Sequence, residues 1–319
     1  MEGAVRVEKH IMKSSDPMFK GLLDDCKSAV HLYNRALFIL RNTFCGQHNE
    51  IPEYKDLIKD DRFVSWYDLN KRMVKLNEPT FRALKSHVAQ QVNKDAWMAF
   101  QNYFKSLKEY KRNPKKFLGK PRMPSYKEKE AFHTLTYTYI SARLQKDGTI
   151  NISRDRKLPI HTNLTKFFEL KIVPRNGYIT FLISYEKPLE INDNLQFDKC
   201  VGIDLGVGNL MAITSNDGSV SSIVNGSPLV SILHRYNKAL AKLQEHRISK
   251  EETSRYQHRR DAIIRKRNCR VDDYLHKASR FIVNEMLNNN VGRCFIGLNP
   301  DWKQRCKMKH GSSTMQKFQ

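Results

Sequence analysis

Asp204 is the acid whose setting in the sequence suggests chemistry. It lies inside the run Val201-Gly202-Ile203-Asp204-Leu205, which reverses at Gly206 and Gly208 and returns as Leu210-Met211-Ala212-Ile213-Thr214. The return ends at Asn216-Asp217-Gly218, a strong hairpin signal, and a third strand is expected near Val220 to Val224. A carboxylate inside a buried strand is costly unless its charge is compensated. Asp204 therefore calls for a cation, a set of hydrogen-bond donors or an ionic partner.

The second set of candidates is basic. Residues 105–129, KSLKEYKRNPKKFLGKPRMPSYKEK, place Lys115, Lys116, Lys120, Arg122 and Lys127 among Tyr110, Phe117 and Tyr126. The prolines exclude a continuous helix. Cations interleaved with aromatics suit phosphate neutralisation plus base stacking, and a solvated linker fits the same composition equally well. Further along, Arg255, Arg259, Arg260, Arg265, Lys266, Arg267 and Arg270 crowd one helical tract. A solvated helix face explains part of that charge; the scarcity of nearby acids favours phosphate contact.

The whole chain carries the same bias. Its 319 residues hold 56 Lys and Arg against 33 Asp and Glu, a formal charge of +23, which points to a polyanionic partner and above all nucleic acid. The basic residues are spread along the length, unlike those of a membrane-surface helix. No apolar run reaches the roughly 18 residues that a membrane span needs, and MEGAVRVEKH lacks the apolar core of a signal peptide. Six scattered cysteines, Cys26, Cys45, Cys200, Cys269, Cys294 and Cys306, form no CxxC pair. They read as reduced thiols of an intracellular protein and give no support for zinc.

These residues need elements to hold them. Residues 3–13 alternate as one strand, and Ser14-Ser15-Asp16-Pro17 starts a helix that carries Leu22, Leu23, Cys26, Ala29, Val30, Tyr33, Leu37 and Leu40 at helical spacing to about Thr43. Helical regions follow at Trp66–Leu76 and, after Glu78-Pro79-Thr80, as one helix to about Tyr110, where Trp97 reads as a core anchor. Strand patterns then alternate from Ala131 to Pro188, with turns at Lys146-Asp147-Gly148 and Arg175-Asn176-Gly177, and suggest a small antiparallel β-barrel that the first strand joins. A helical tract from Leu229 to Asn288 breaks near Ile248-Ser249-Lys250, and Cys294–Leu298 is a last short strand.

The order of three strands, helices and a strand, with an acid centred in the first strand, fits a ribonuclease H-like core. In such a core the first-strand aspartate binds one or two Mg²⁺ ions, and about three carboxylates are needed. A lone DxG also occurs in actin-like ATPases, whose second lobe has no place here. VGIDLGVGNLMAITSNDG resembles the first RuvC motif of the TnpB/OrfB family of transposon-encoded RNA-guided nucleases, relatives of compact type V CRISPR effectors. Asp272–Arg280 followed by Phe295–Gln304 resembles its later RuvC stretch, and Lys120–Lys127 its "GKPRFPRYK"-like segment.

The resemblance implies an α/β ribonuclease H-like (RuvC) core, incomplete at its C-terminus, with an antiparallel β-barrel wedge domain and an inserted helical bundle. On that pattern residues 1–15 give the first wedge strand, 16–110 a helical recognition lobe, 111–195 the basic segment and wedge, and 196–319 a partial RuvC domain with a helical hairpin at 228–290. It implies guide RNA and target DNA as partners, Mg²⁺ as cofactor, and Asp204 as catalytic and metal-binding residue. Its nucleic-acid contacts would be Lys115, Lys116, Lys120, Arg122, Tyr126, Lys127, Arg259, Arg260, Arg265, Arg267, Trp302 and Lys303. The family's fourth-strand glutamate position reads Leu298-Asn299, and the later acids and CxxC ribbon do not occur, so the chain reads as C-terminally truncated. Glu285 and Asp301 are the substitute acids at hand, neither at the motif position. Two outcomes are expected: a nuclease of RuvC type with little or no cutting, or an RNA-associated DNA binder that occludes a site, a non-functional remnant being the alternative.

Overall fold

The computed structural model describes residues 3–57, 63–189, 192–206, 208–245 and 254–297. The chain divides into two compact units, Met1–Leu189 and Glu190–Gln319. In the first, the strand β1 (Gly3–Lys13) precedes the helices α1 (Phe19–Phe44), α2 (Trp66–Lys75), α3 (Pro79–Arg82) and α4 (Ser86–Arg112). Six strands follow: β2 (Leu135–Thr138), β3 (Arg143–Leu144), β4 (Thr149–Asn151), β5 (Lys157–His161), β6 (Glu169–Arg175) and β7 (Tyr178–Pro188).

The apolar period of α1 becomes its buried stripe: Leu22, Cys26, Ala29, Val30, Tyr33, Leu37 and Leu40 are all inside. Burial of the Cys26 thiol pushes its pKa up to about 12. The single helix expected after Thr80 is split into α3 and α4. At the break the Lys85 backbone is extended, and its ammonium donates to the Ile152 carbonyl at 2.7 Å. A tertiary anchor here overrides local helix preference. Trp97 packs against the core, and its indole N–H donates to the Val64 carbonyl at 2.9 Å.

The sheet has the order β1-β7-β6-β2, antiparallel throughout, and β3-β4-β5 form a separate small sheet. The first strand joins as expected, but the barrel does not form: the described strands make two open sheets. The physical reason lies in the inner face. Ile179, Phe181 and Ile183 of β7 and Leu170 and Ile172 of β6 share one core with Leu22, Leu37, Val92, Ala96 and Phe100 of the helices. A sheet whose apolar face is already covered by helices gains nothing from closing on itself.

The second unit contains β8 (Gln196–Leu205), β9 (Asn209–Ser215), β10 (Ser221–Asn225), α5 (Ser227–Glu245), α6 (Ser254–Asn288) and β11 (Val291–Ile296). The strands lie in the order β10-β9-β8-β11; the first three are antiparallel neighbours, and β11 runs parallel to β8. A parallel return needs a crossover, and α5 and α6 supply it. Gly218 takes φ +73° in the β9–β10 turn, a conformation that glycine adopts without strain. Val201, Ile203 and Ile213 form a core with Val220, Val291 and Ile282 of α6, with Met286 packed against it.

Candidate nuclease strand and nucleic-acid interface

The pleat of β8 decides where Asp204 points. Val201 and Ile203 are buried against α6, so Gly202 and Asp204 stand on the opposite face, and both are exposed. The expectation of a buried acid is therefore corrected. The reason is that α6 covers only one face of this sheet. Asp204 faces Ala212 across the β8–β9 ladder, and a Cβ built on Gly202 would meet only the Thr214 carbonyl at 3.9 Å. The carboxylate thus rises from a floor of small residues, flanked on the same face by Ile223 and Phe295, 66% and 60% exposed. Among the described residues it makes no hydrogen bond or ion pair.

This geometry tests the proposed Mg²⁺ centre. One carboxylate can offer two oxygens to a hard cation but cannot hold two dications. Glu285 lies on α6, one turn from Ile282 and next to Met286, which pack on the Val201–Ile203 face. The sheet separates it from Asp204, so the two cannot share an ion. Asp301, Trp302, Lys303 and the Leu298-Asn299 position lie outside the described residues. Among the described residues no three His, Cys, Asp or Glu side chains gather as a metal cluster. Among the described residues the donor set does not fit a two-metal centre.

The basic segment follows a different logic. Asn34 of α1 grips the Lys127 backbone, donating to its carbonyl and accepting from its N–H, both at 2.8 Å. Arg41 donates to the Pro124 carbonyl at 3.3 Å and lies 5.0 Å from the Tyr126 ring centroid. Lys127 turns its ammonium inward, 4.6 Å from the Tyr33 ring centroid and against His133 Nδ1, and burial lowers its pKa. His133 Nε2 meets Asp95 at 3.0 Å. Residues 124–127 are thus a strap docked on α1. Lys115, Lys116, Lys120 and Arg122, by contrast, are exposed, with Leu118 98% exposed among them; Lys116 pairs with Glu109 at 3.2 Å.

On α6 the arginines part company. Arg267 lies 5.3 Å from the Tyr236 ring of α5 and donates to Asn268 at 2.8 Å. Arg260 reaches Gln257 at 3.4 Å, and Arg265 is half-buried. Arg255, Arg259, Lys266 and Arg270 are exposed, and their spacing puts them on one stripe. The sequence shows all these cations, but only the helical phase against α5 and the sheet separates stripe from packing. Tyr274, whose hydroxyl donates to the Asn225 carbonyl, ties α6 to the end of β10.

Residues 183–302, which contain β8–β11 and both helices, match the family model OrfB_IS605, described as a probable transposase. This stretch of the chain is similar to the OrfB transposases. Among solved structures, the chain is similar to a Cas12f1 determined in complex with single-guide RNA and target DNA, at 12% identity and a TM-score of 0.49 over 89% of this chain and 66% of that one. It is also similar to a CRISPR-Cas12f in a ternary complex, at 12% identity and a TM-score of 0.29 over 89% of this chain and 67% of the other. The chain thus spans 66% of the length of the first of these. No curated protein matches it significantly. No helix among the described residues is long and apolar enough to cross a membrane.

Proposed function

We propose that this chain is a TnpB/OrfB protein that binds guide RNA and target DNA and holds them without a self-sufficient nuclease centre. The observation that carries the reading is the sheet β10-β9-β8-β11, with β11 returning parallel to β8 across α5 and α6 and an acid in β8. That order is the one expected for the first four strands of a ribonuclease H-like core, the frame on which RuvC nucleases are built. The net charge of +23 and the exposed cationic stripe of α6 support a polyanionic partner.

In this reading residues 16–110 act as the recognition lobe, the basic segment and strands of 111–195 with β1 as the wedge, and 196–319 as the RuvC-like part. Asp204 occupies the first-ligand position for Mg²⁺, which in a RuvC site activates water and stabilises the leaving oxygen. Since the donor set does not fit two ions, no hydrolytic step is assigned to these residues.

The test uses the full chain with RNA and a fluorescent DNA duplex, in Mg²⁺ and in EDTA. The reading expects complexes of similar affinity in both buffers and intact DNA. Cleavage in Mg²⁺ that disappears in Asp204→Ala would show a working nuclease centre and overturn it.

A further inference from the structure

The helical part of the first unit carries a surface that neither the sheet nor the basic strap uses. Trp66 and Tyr67 open α2 as a close aromatic pair, with ring centroids 3.8 Å apart and planes tilted by 33°, and the Lys94 ammonium of α4 lies 5.6 Å from the Trp66 centroid. Ser65 caps the helix: its hydroxyl oxygen accepts from the Tyr67 N–H at 3.1 Å, which fixes the entry of the chain. The buried side of α2 is Leu69, Asn70 and Met73. Tyr67 is on the other side and 68% exposed, so it adds little to the core.

Lys71 and Lys75 follow Tyr67 at four-residue intervals. On a helix that spacing makes one stripe, with steps of about 6 Å along the axis. Both lysines line a recess of about 270 Å³ with Leu57, Arg72, Asp56 and Asp68. Its acids do not cancel the stripe. Asp56 is engaged by Arg72 at 3.1 Å, and Asp68 sits in the first turn of α2, where the helix dipole favours an anion.

An open aromatic face followed by cations at regular steps is complementary to a base followed by its phosphates. A duplex hides its base faces by stacking, whereas an unpaired strand offers them. We propose that the outer face of α2 receives an unpaired stretch of single-stranded nucleic acid. One base stacks on Tyr67, backed by Trp66, and the adjoining phosphates meet Lys71 and Lys75. The inference rests on the nucleic-acid reading given above and adds a site and a substrate form to it. Guide RNA and displaced DNA share this chemistry.

The probes are single-stranded RNA and DNA of about a dozen nucleotides, within the site sizes typical of such surfaces, each carrying 2-aminopurine. The readouts on the full chain are affinity and fluorescence quenching. Wild-type protein should bind and quench. Tyr67→Ala should weaken single-strand binding about tenfold, as loss of one stacking contact does, and lose most of the quenching. Tyr67→Phe should keep both, and a blunt duplex should not distinguish wild type from Tyr67→Ala. A thermal unfolding midpoint shared by the three proteins shows that the fold is intact. Quenching with RNA alone, DNA alone or both supports the site and names its source. Single-strand binding unchanged by Tyr67→Ala overturns the site but leaves the nucleic-acid reading standing. Absence of binding to every probe by the wild type overturns both.

Discussion

Asn34 holds Lys127 by both of its backbone polar groups, with Nδ2 donating to the carbonyl and Oδ1 accepting from the N–H, each at 2.8 Å across 93 residues of sequence. The pairing copies one rung of a β-ladder with a side chain. It docks an extended segment without a partner strand, and it sets where the exposed cations before it begin.

Asn34→Ala removes both bonds and leaves the strap backbone to water. At about 1 kcal/mol per hydrogen bond, the loss of stability should be about 2 kcal/mol. Limited trypsin digestion should then cut at Arg122 and Lys127 sooner than in the wild type. An unchanged digestion pattern would mean that Arg41 and Lys127 hold the strap without Asn34.

Asp204 predicts the opposite kind of result. It is exposed and unpaired among the described residues, and aspartate is a poor strand residue. Asp204→Thr should leave unfolding free energy within about 1 kcal/mol of wild type, or raise it slightly. A loss of more than about 2 kcal/mol in denaturant unfolding would show that the carboxylate is held by a partner.

The exposed stripe on α6 makes a prediction about ions. Each phosphate contact contributes about 0.9 to the slope of log affinity against log salt on duplex DNA. Changing Arg255, Arg259, Lys266 and Arg270 together to Gln should flatten that slope by about 3.6. The same count of changes at Arg260, Arg265 and Arg267 with one surface lysine should flatten it less and should cost stability, because Arg267 packs on Tyr236. Equal flattening by both sets would contradict the division of the helix.

Asp217 supplies a pH test. Hydrogen bonds from the Ser219 hydroxyl and N–H and from the Ser215 hydroxyl hold its carboxyl well below the usual carboxylate range, and Lys199 at 3.3 Å adds to this. A pKa lowered by folding means that the stabilisation is present above the unfolded value, about 4, and is lost as pH falls below it. The stability difference between wild type and Asp217→Asn should be constant above about pH 5 and shrink below about pH 4. A difference that grows on acidification would contradict the sign.

Much of this fold is written in local pattern. The stripe from Leu22 to Leu40 is an amphipathic helix by spacing alone, and Asn176-Gly177 and Asp217-Gly218 mark hairpins because glycine takes φ +71° and +73° there. What local pattern could not show depends on distant packing. The alternation of Val201, Ile203 and Asp204 fixes that the acid faces away from the valine and isoleucine, but only the landing of Ile282 says which face is covered. The barrel fails to close for the same reason, since the helices occupy the face that closure would have buried. Lys127, apparent in sequence as a phosphate ligand, is turned inward by Tyr33 and His133, residues remote from or only near it in the chain. Tyr67 carries no signal beyond an aromatic at a helix start; its exposure emerges only once Leu69 and Met73 are seen to take the core.

The proposed binding of nucleic acid rests on surface charge and is expected to proceed without Mg²⁺. Its most direct test is the affinity of the full chain for a structured RNA, measured in EDTA across a range of salt concentrations. The account predicts tight binding that falls linearly on a log–log plot with a slope of several units, as counterion release requires. Binding that is absent in EDTA, or present but insensitive to salt, would contradict it.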